Sequence, residues 1–139
     1  MKPTICIVFL VMAFMVPRVH SQESQSILDA ENAARHWLEL TDAGNFDRSW
    51  DEAADIFQKH VTKLAWASTA ANARSPLGGV RSRKVRSARY ARTLPGAPDG
   101  DYVVIQFETT FENKANAIEL VTPTRAKDGS WKVSGYFIK

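Results

Sequence analysis

The chain changes its periodicity once, near Pro76, and that switch limits the folds open to it more than any other feature. Before Pro76 apolar residues recur every three or four positions, and after it they alternate. Helices followed by strands favour an α+β architecture over alternating βαβ units. Three helices are expected. Ser26 with Asp29 resembles a capping start for the first, which carries Ile27, Ala30, Ala34, Trp37 and Thr41 and stops at Gly44, with residues 22–25 a frayed polar leader. The second holds the clearest stripe, Phe46, Trp50, Ala54, Phe57 and Val61, with Asp47 as its cap. The third opens at Thr62 and ends at Ser75-Pro76-Leu77-Gly78-Gly79.

Four strands are expected after that, over roughly 81–93, 102–111, 116–124 and 131–138. In the second, Val103, Ile105, Phe107, Thr109 and Phe111 alternate with polar neighbours, so one side faces the helices. In the last, Trp131, Val133 and Phe137 share a face with a gap or bend at Gly135. Short turns rich in Gly, Pro, Asn and Asp separate the strands, which makes neighbours antiparallel.

The N-terminus reads as a secretory signal peptide. Lys2 precedes an apolar run from Ile5 to Val16, Pro17-Arg18 breaks it, and Val19-His20-Ser21 offers a cleavage site before Gln22. Twelve residues are too few for a membrane span, which needs roughly 20. The domains are therefore 1–21 as signal and 22–139 as one α+β domain, exported to the periplasm or beyond the cell without a stable membrane anchor. Cleavage removes Lys2, Arg18 and Cys6, leaving 16 basic against 15 acidic residues and no cysteine. A balance that near zero gives no reason to expect nucleic acid, and stability has to come from aromatic packing rather than disulfides.

The runs Trp37-Leu38, Asp42-Ala43-Gly44-Asn45-Phe46, Ser49-Trp50 and Arg74-Ser75-Pro76-Leu77-Gly78 stand in a distinctive order with Ser82-Arg83. So do Leu94 to Tyr102, Phe107, Phe111-Glu112-Asn113-Lys114, Glu119 and Gly129 to Tyr136. Together they resemble the bacterial family called domain of unknown function 4019, over nearly all the mature chain. The resemblance implies an exported α+β domain with helices against a curved antiparallel sheet, which the three helices and four antiparallel strands expected above would supply. The shape implied is a cone like that of nuclear transport factor 2 relatives or cystatins. It brings no activity, cofactor or catalytic residue with it.

Residues 61–95 hold eight basic and no acidic side chains, whereas 22–60 hold nine acids against three bases. Arg81, Arg83, Lys84, Arg86, Arg89 and Arg92 form a candidate anion-binding strip. The alternative is an edge strand protected by charge and facing the acidic helices of its own domain. Alternation puts Arg83 and Arg89 on one side and Lys84, Arg86 and Arg92 on the other, which argues against one flat patch and favours that alternative. His36 and His60 lack metal-ligand spacing, so no metal or other cofactor is expected. Glu108 and Glu119 are the carboxylates available for acid and base work, and Glu119 with Tyr90 marks a possible pocket. Trp37, Trp50 and Trp66 stand at helical spacing and are expected in the core.

These features lead to a non-enzymatic module that binds a protein, peptide or small ligand of the envelope. One alternative is a small pocket enzyme of hydrolase or isomerase type. Another is binding of anionic lipid or polysaccharide through the basic strand, and pairing into a homodimer through exposed sheets is open.

Overall fold

The computed structural model describes residues 18–139. Four α-helices precede a four-stranded sheet: α1 (Arg18–Asp42), α2 (Phe46–Asp51), α3 (Asp55–His60), α4 (Lys63–Arg74), then a single 3-10 turn (Ser75–Leu77). The strands are β1 (Val80–Ala91), β2 (Tyr102–Phe111), β3 (Lys114–Arg125) and β4 (Trp131–Ile138). They form an antiparallel meander in the order β1-β2-β3-β4, so β1 and β4 are its edges. The class is α+β, as the change of period at Pro76 dictates.

Two helix expectations need correction. The stretch 22–25 is helical, because nothing between Arg18 and Asp42 is Gly or Pro and the helix continues through it. Ser26 is consequently buried within α1 and accepts a hydrogen bond from Arg125 at 2.9 Å instead of capping a helix end. The run Ile5–Val16 lies outside the described residues, and Ser21-Gln22 falls in the first turns of α1.

The second expected helix is two. Its break at Ala54 frees that residue's N–H to donate to the Val133 carbonyl at 2.8 Å, a bond an unbroken helix would forbid. Gln58 Nε2 donates to the carbonyls of Trp50 at 2.9 Å and Asp51 at 3.2 Å, so a side chain of α3 bridges the break to the end of α2.

The core lies between α1, α2, α3, α4 and one face of the sheet. Trp37, Phe57, Trp66 and Tyr136 pack with ring centroids 4.9 to 6.2 Å apart, mostly edge to face. Ser49 sits among them as a polar hub. Its carbonyl accepts Trp37 Nε1 at 2.7 Å and its hydroxyl accepts Trp66 Nε1 at 2.9 Å. Trp37 and Trp66 are buried and Trp50 is half-buried, its indole N–H bonded to the Val61 carbonyl at 2.8 Å.

The sheet's alternation is interrupted by extra residues, and each interruption moves side chains to the other face. Arg81 and Arg86 are extra in β1, and Ser134 is extra in β4. Pro123, which has no N–H to give, sits where β3 meets the Ser134 irregularity. Beyond it Tyr136 turns toward the helices, and Phe137, expected with Trp131 and Val133, points outward at 59% exposure.

Candidate functional site: a buried charge network between helices and sheet

Each of six elements contributes to one polar cluster in the core. Thr41 and Asp42 end α1, where Gly44 at φ 74° supplies the left-handed residue that lets the chain leave the helix. Arg74 ends α4, whose start is capped by Thr62 Oγ1 accepting from the Ala65 N–H at 3.2 Å. Beyond Arg74, Gly78 is fixed twice over, by φ 73° and by the Glu112 side chain, which a Cβ there would meet at 2.9 Å. That close approach lets the β2–β3 turn bond the α4–β1 connection, Glu112 N–H to Gly79 and Asn113 N–H to Leu77, both at 2.9 Å. Arg83, Thr109, Glu119 and Tyr136 come from β1, β2, β3 and β4, all on the helix-facing side.

Glu119 is 0% exposed. Its Oε1 accepts from Arg83 Nε at 2.8 Å and from Thr109 Oγ1 at 2.6 Å, and its Oε2 accepts from the Tyr136 hydroxyl. Arg83 also spans to α1, donating from Nη1 to Asp42 Oδ2 at 2.7 Å and from Nη2 to Oδ1 at 3.0 Å. Arg74 donates to Asp42 Oδ1 at 2.6 Å, to Thr41 Oγ1 at 3.1 Å and to the Tyr136 oxygen at 3.3 Å. Its guanidinium lies over the Phe111 ring, 5.0 Å from the centroid. Two guanidiniums thus face two carboxylates, and the cluster is neutral as a whole. Neutrality with near-complete hydrogen bonding is the condition under which buried charges are tolerated. Arg74 Nε is the cluster's one buried nitrogen without a partner.

The same geometry sets the protonation states. Burial alone would raise the Asp42 carboxyl, but hydrogen bonds from Arg83 and Arg74, with their charges, hold it below the usual carboxylate range. Burial would lower both guanidiniums, yet Asp42 and Glu119 raise Arg83, and Tyr136, Asp42 and Glu119 raise Arg74. Tyr136 is pushed well up by burial first and then by the Glu119 charge.

Chemically this arrangement ties the helical layer to the sheet. Over it lies a depression of about 260 Å³ lined by Asp42, Phe46, Ala71, Arg74, Gly78 and neighbours.

Tyr90 does not join Glu119. Its hydroxyl donates to Asp101 at 2.5 Å, which with the pairing and burial raises its own pKa, and Asp101 stands 3.6 Å from Arg125 and 3.8 Å from Arg92. His36 pairs with Glu52 at 3.0 Å, and His60 at the end of α3 bonds the Ile56 carbonyl at 2.6 Å. Among the described residues no three His, Cys, Asp or Glu side chains gather as metal ligands.

The basic strip is arranged differently from its alternation. Arg83 alone turns inward. The extra residue Arg86 shifts the pairing so that Arg89 lies opposite Val104 as Lys84 lies opposite Glu108, and Lys84, Arg86 and Arg89 share the outward face. Arg81 is exposed at the other irregularity, and Arg92 is exposed just past the strand. The edge position of β1 and the pairing of Arg83 with acidic α1 agree with the charge-protected reading for that one residue. The argument against a common face does not survive the shift. Glu108 points outward, 3.0 Å from Lys84.

Asp42, Arg74, Thr109 and Thr41 were not singled out by the sequence. The available signal was Thr109 among Val103, Ile105, Phe107 and Phe111, and Glu119 between Ala117 and Val121. Polar side chains on two inward rows demand polar partners.

Residues 33–136 match the family model described as protein of unknown function DUF4019. The chain belongs to this family. The matched span contains every member of the charge network, from Thr41 to Tyr136. No curated protein and no solved structure matches the chain. As a DUF4019 domain the protein has a family and a fold class, and its role has to be argued from its own surfaces.

Proposed function

We propose that this DUF4019 domain is a non-enzymatic binding module exported to the bacterial cell envelope, with the outward face of its sheet as the contact surface. One observation carries the reading. Glu119, the acid best placed for catalysis, has both oxygens bonded to side chains of its own domain, while the cations and Phe137 of the outward face stand in solvent beside half-buried Ile118 and Leu120. A general base must come within about 2.6–3.2 Å of the proton it takes. Glu119 could do so only by giving up partners that compensate its burial. The export half rests on Lys2, the Ile5–Val16 run and the Ser21-Gln22 site.

Two measurements test this. Mass spectrometry of protein recovered from cell fractions should find Gln22 at the N-terminus in the envelope or medium; an intact Met1 in the cytosol would overturn export. Retention on isolated envelopes should fall for Arg86→Gln/Arg89→Gln and Phe137→Ala and persist for Asp47→Asn, which lies on α2 away from the sheet. Turnover in a hydrolase and isomerase screen, abolished by a still-folded Glu119→Gln, would instead support the pocket enzyme.

A further inference from the structure

The outward face is graded across its strands. One row of paired residues runs Ser87, Gln106, Leu120, Phe137 from β1 to β4, and the next runs Lys84, Glu108, Ile118, Lys139. Cations Lys84, Arg86 and Arg89 cluster at the β1 edge, and Ile118, Leu120 and Phe137 lie in the other half, where Lys132 and Lys139 border them on β4. With strands about 4.8 Å apart, three intervals separate the cations from Phe137 by about 14 Å. Toward the β2–β3 turn the same face carries an open groove of about 610 Å³ whose lining includes Lys84, Arg86, Glu108, Thr110, Asn116 and Ile118. Glu108 offsets part of the charge, 3.0 Å from Lys84 and 4.0 Å from Arg86, but these side chains are 42–77% exposed and such solvated pairs hold their partners weakly.

The excess of cations over the single acid Glu108 decides among occupants. A second copy laid face to face would set the β1 cations either on their own kind or on the apolar side chains and lysines near β4, with no anions to meet them, and a wholly apolar partner would strand them. The complement is a surface on which anions border an apolar layer, as the phosphates of a bilayer border its acyl chains. We propose that this face docks on an anionic phospholipid surface. Arg86 and Arg89 meet lipid phosphates, while the β4 edge tilts in and Phe137 with Leu120 enters the acyl boundary. The inference rests on the outward face being the contact surface, and names what it contacts.

The test uses the protein as the cell processes it, with vesicles of phosphatidylglycerol in phosphatidylcholine and of phosphatidylcholine alone. Sedimentation should show binding to the first that weakens steeply with added salt, and little to the second. Arg86→Gln/Arg89→Gln should weaken it roughly 25-fold, at about fivefold per cation near an anionic surface. Phe137→Ala should weaken it roughly tenfold with the salt dependence unchanged, since the loss is apolar. Equal binding to both vesicles, or no effect of the arginine pair, overturns the proposal. So does tight binding of soluble polyphosphate that Phe137→Ala leaves untouched, which would identify a polyanion ligand. If vesicles fail while the same variants still lose envelope retention, the lipid assignment falls and the outward-face reading stands. If neither readout moves, both fall.

Discussion

Replacing Glu119 by Gln changes almost no volume and removes one charge from a site with no solvent access. The cluster then holds Arg74 and Arg83 against Asp42 alone, a net positive charge in the core. The Tyr136 hydroxyl also loses a charged acceptor. Breaking a buried ion pair costs about 3–5 kcal/mol. The lower end applies here, because Asp42 keeps its bonds to both guanidiniums and the Gln carbonyl can still accept from Arg83 and Thr109. A loss of about 3 kcal/mol moves a urea midpoint down by about 1.5 M when m is about 2 kcal/mol/M. Trp37 and Trp66, which contact Tyr136, report the transition by fluorescence. Restoring neutrality separates charge imbalance from lost packing: Arg83→Met with Glu119→Leu leaves Arg74 paired with Asp42 and should regain at least half of the loss. A Glu119→Gln penalty below about 0.5 kcal/mol, or a double variant no better than the sum of its singles, would refute the claim that this network holds the layers together.

The network also sets two pH limits. Because Asp42 is lowered in the folded state, its contribution is complete above the unfolded value near 3.8 and is lost as pH falls below it; Asp42→Asn should flatten that part of an acid titration followed by fluorescence. Tyr136 is raised, so its contribution is complete below pH 10.0 and is lost as pH rises further; Tyr136→Phe should remove part of the alkaline loss while costing about 2 kcal/mol at neutral pH, read by urea melts. Ser49→Ala leaves the Trp66 indole N–H without its 2.9 Å acceptor and should cost about 1–3 kcal/mol by the same melts, with the fold retained in circular dichroism. Gly44→Ala should cost about 1 kcal/mol from its φ of 74° alone, since a Cβ there meets nothing within 4 Å, and a thermal melt would register it.

Most of the fold was legible because periodicity is a local property. The β2 range was read without error from the alternation of Val103, Ile105, Phe107, Thr109 and Phe111, and the other strands to within about two residues. The break at Ala54 was not legible, because the stripe Phe46, Trp50, Phe57 and Val61 continues across it and the bond that selects it comes from Val133, far along the chain. Glu119 was visible as a polar residue on an apolar row. Its surroundings were not, since the extra residue in β4 decides that Tyr136 faces it, and Asp42 and Arg74 join through Arg83 and Tyr136 from helix ends that only the packed fold brings together.

The irregularities in β1 and β4 join the two halves of the molecule. With strict alternation, Arg83 and Arg89 would both face the helices, yet the core holds carboxylates for one β1 cation. An uncompensated Arg89 would cost several kcal/mol there. The extra residue at Arg86 removes that conflict by sending Arg89 outward, and Ala88 and Tyr90 take the inward row. Ser134 does the converse in β4, bringing in Tyr136 to donate to Glu119 and sending Phe137 out. Two single-residue shifts at opposite edges therefore complete the interior network and compose the graded exterior, with cations from one edge and an aromatic from the other.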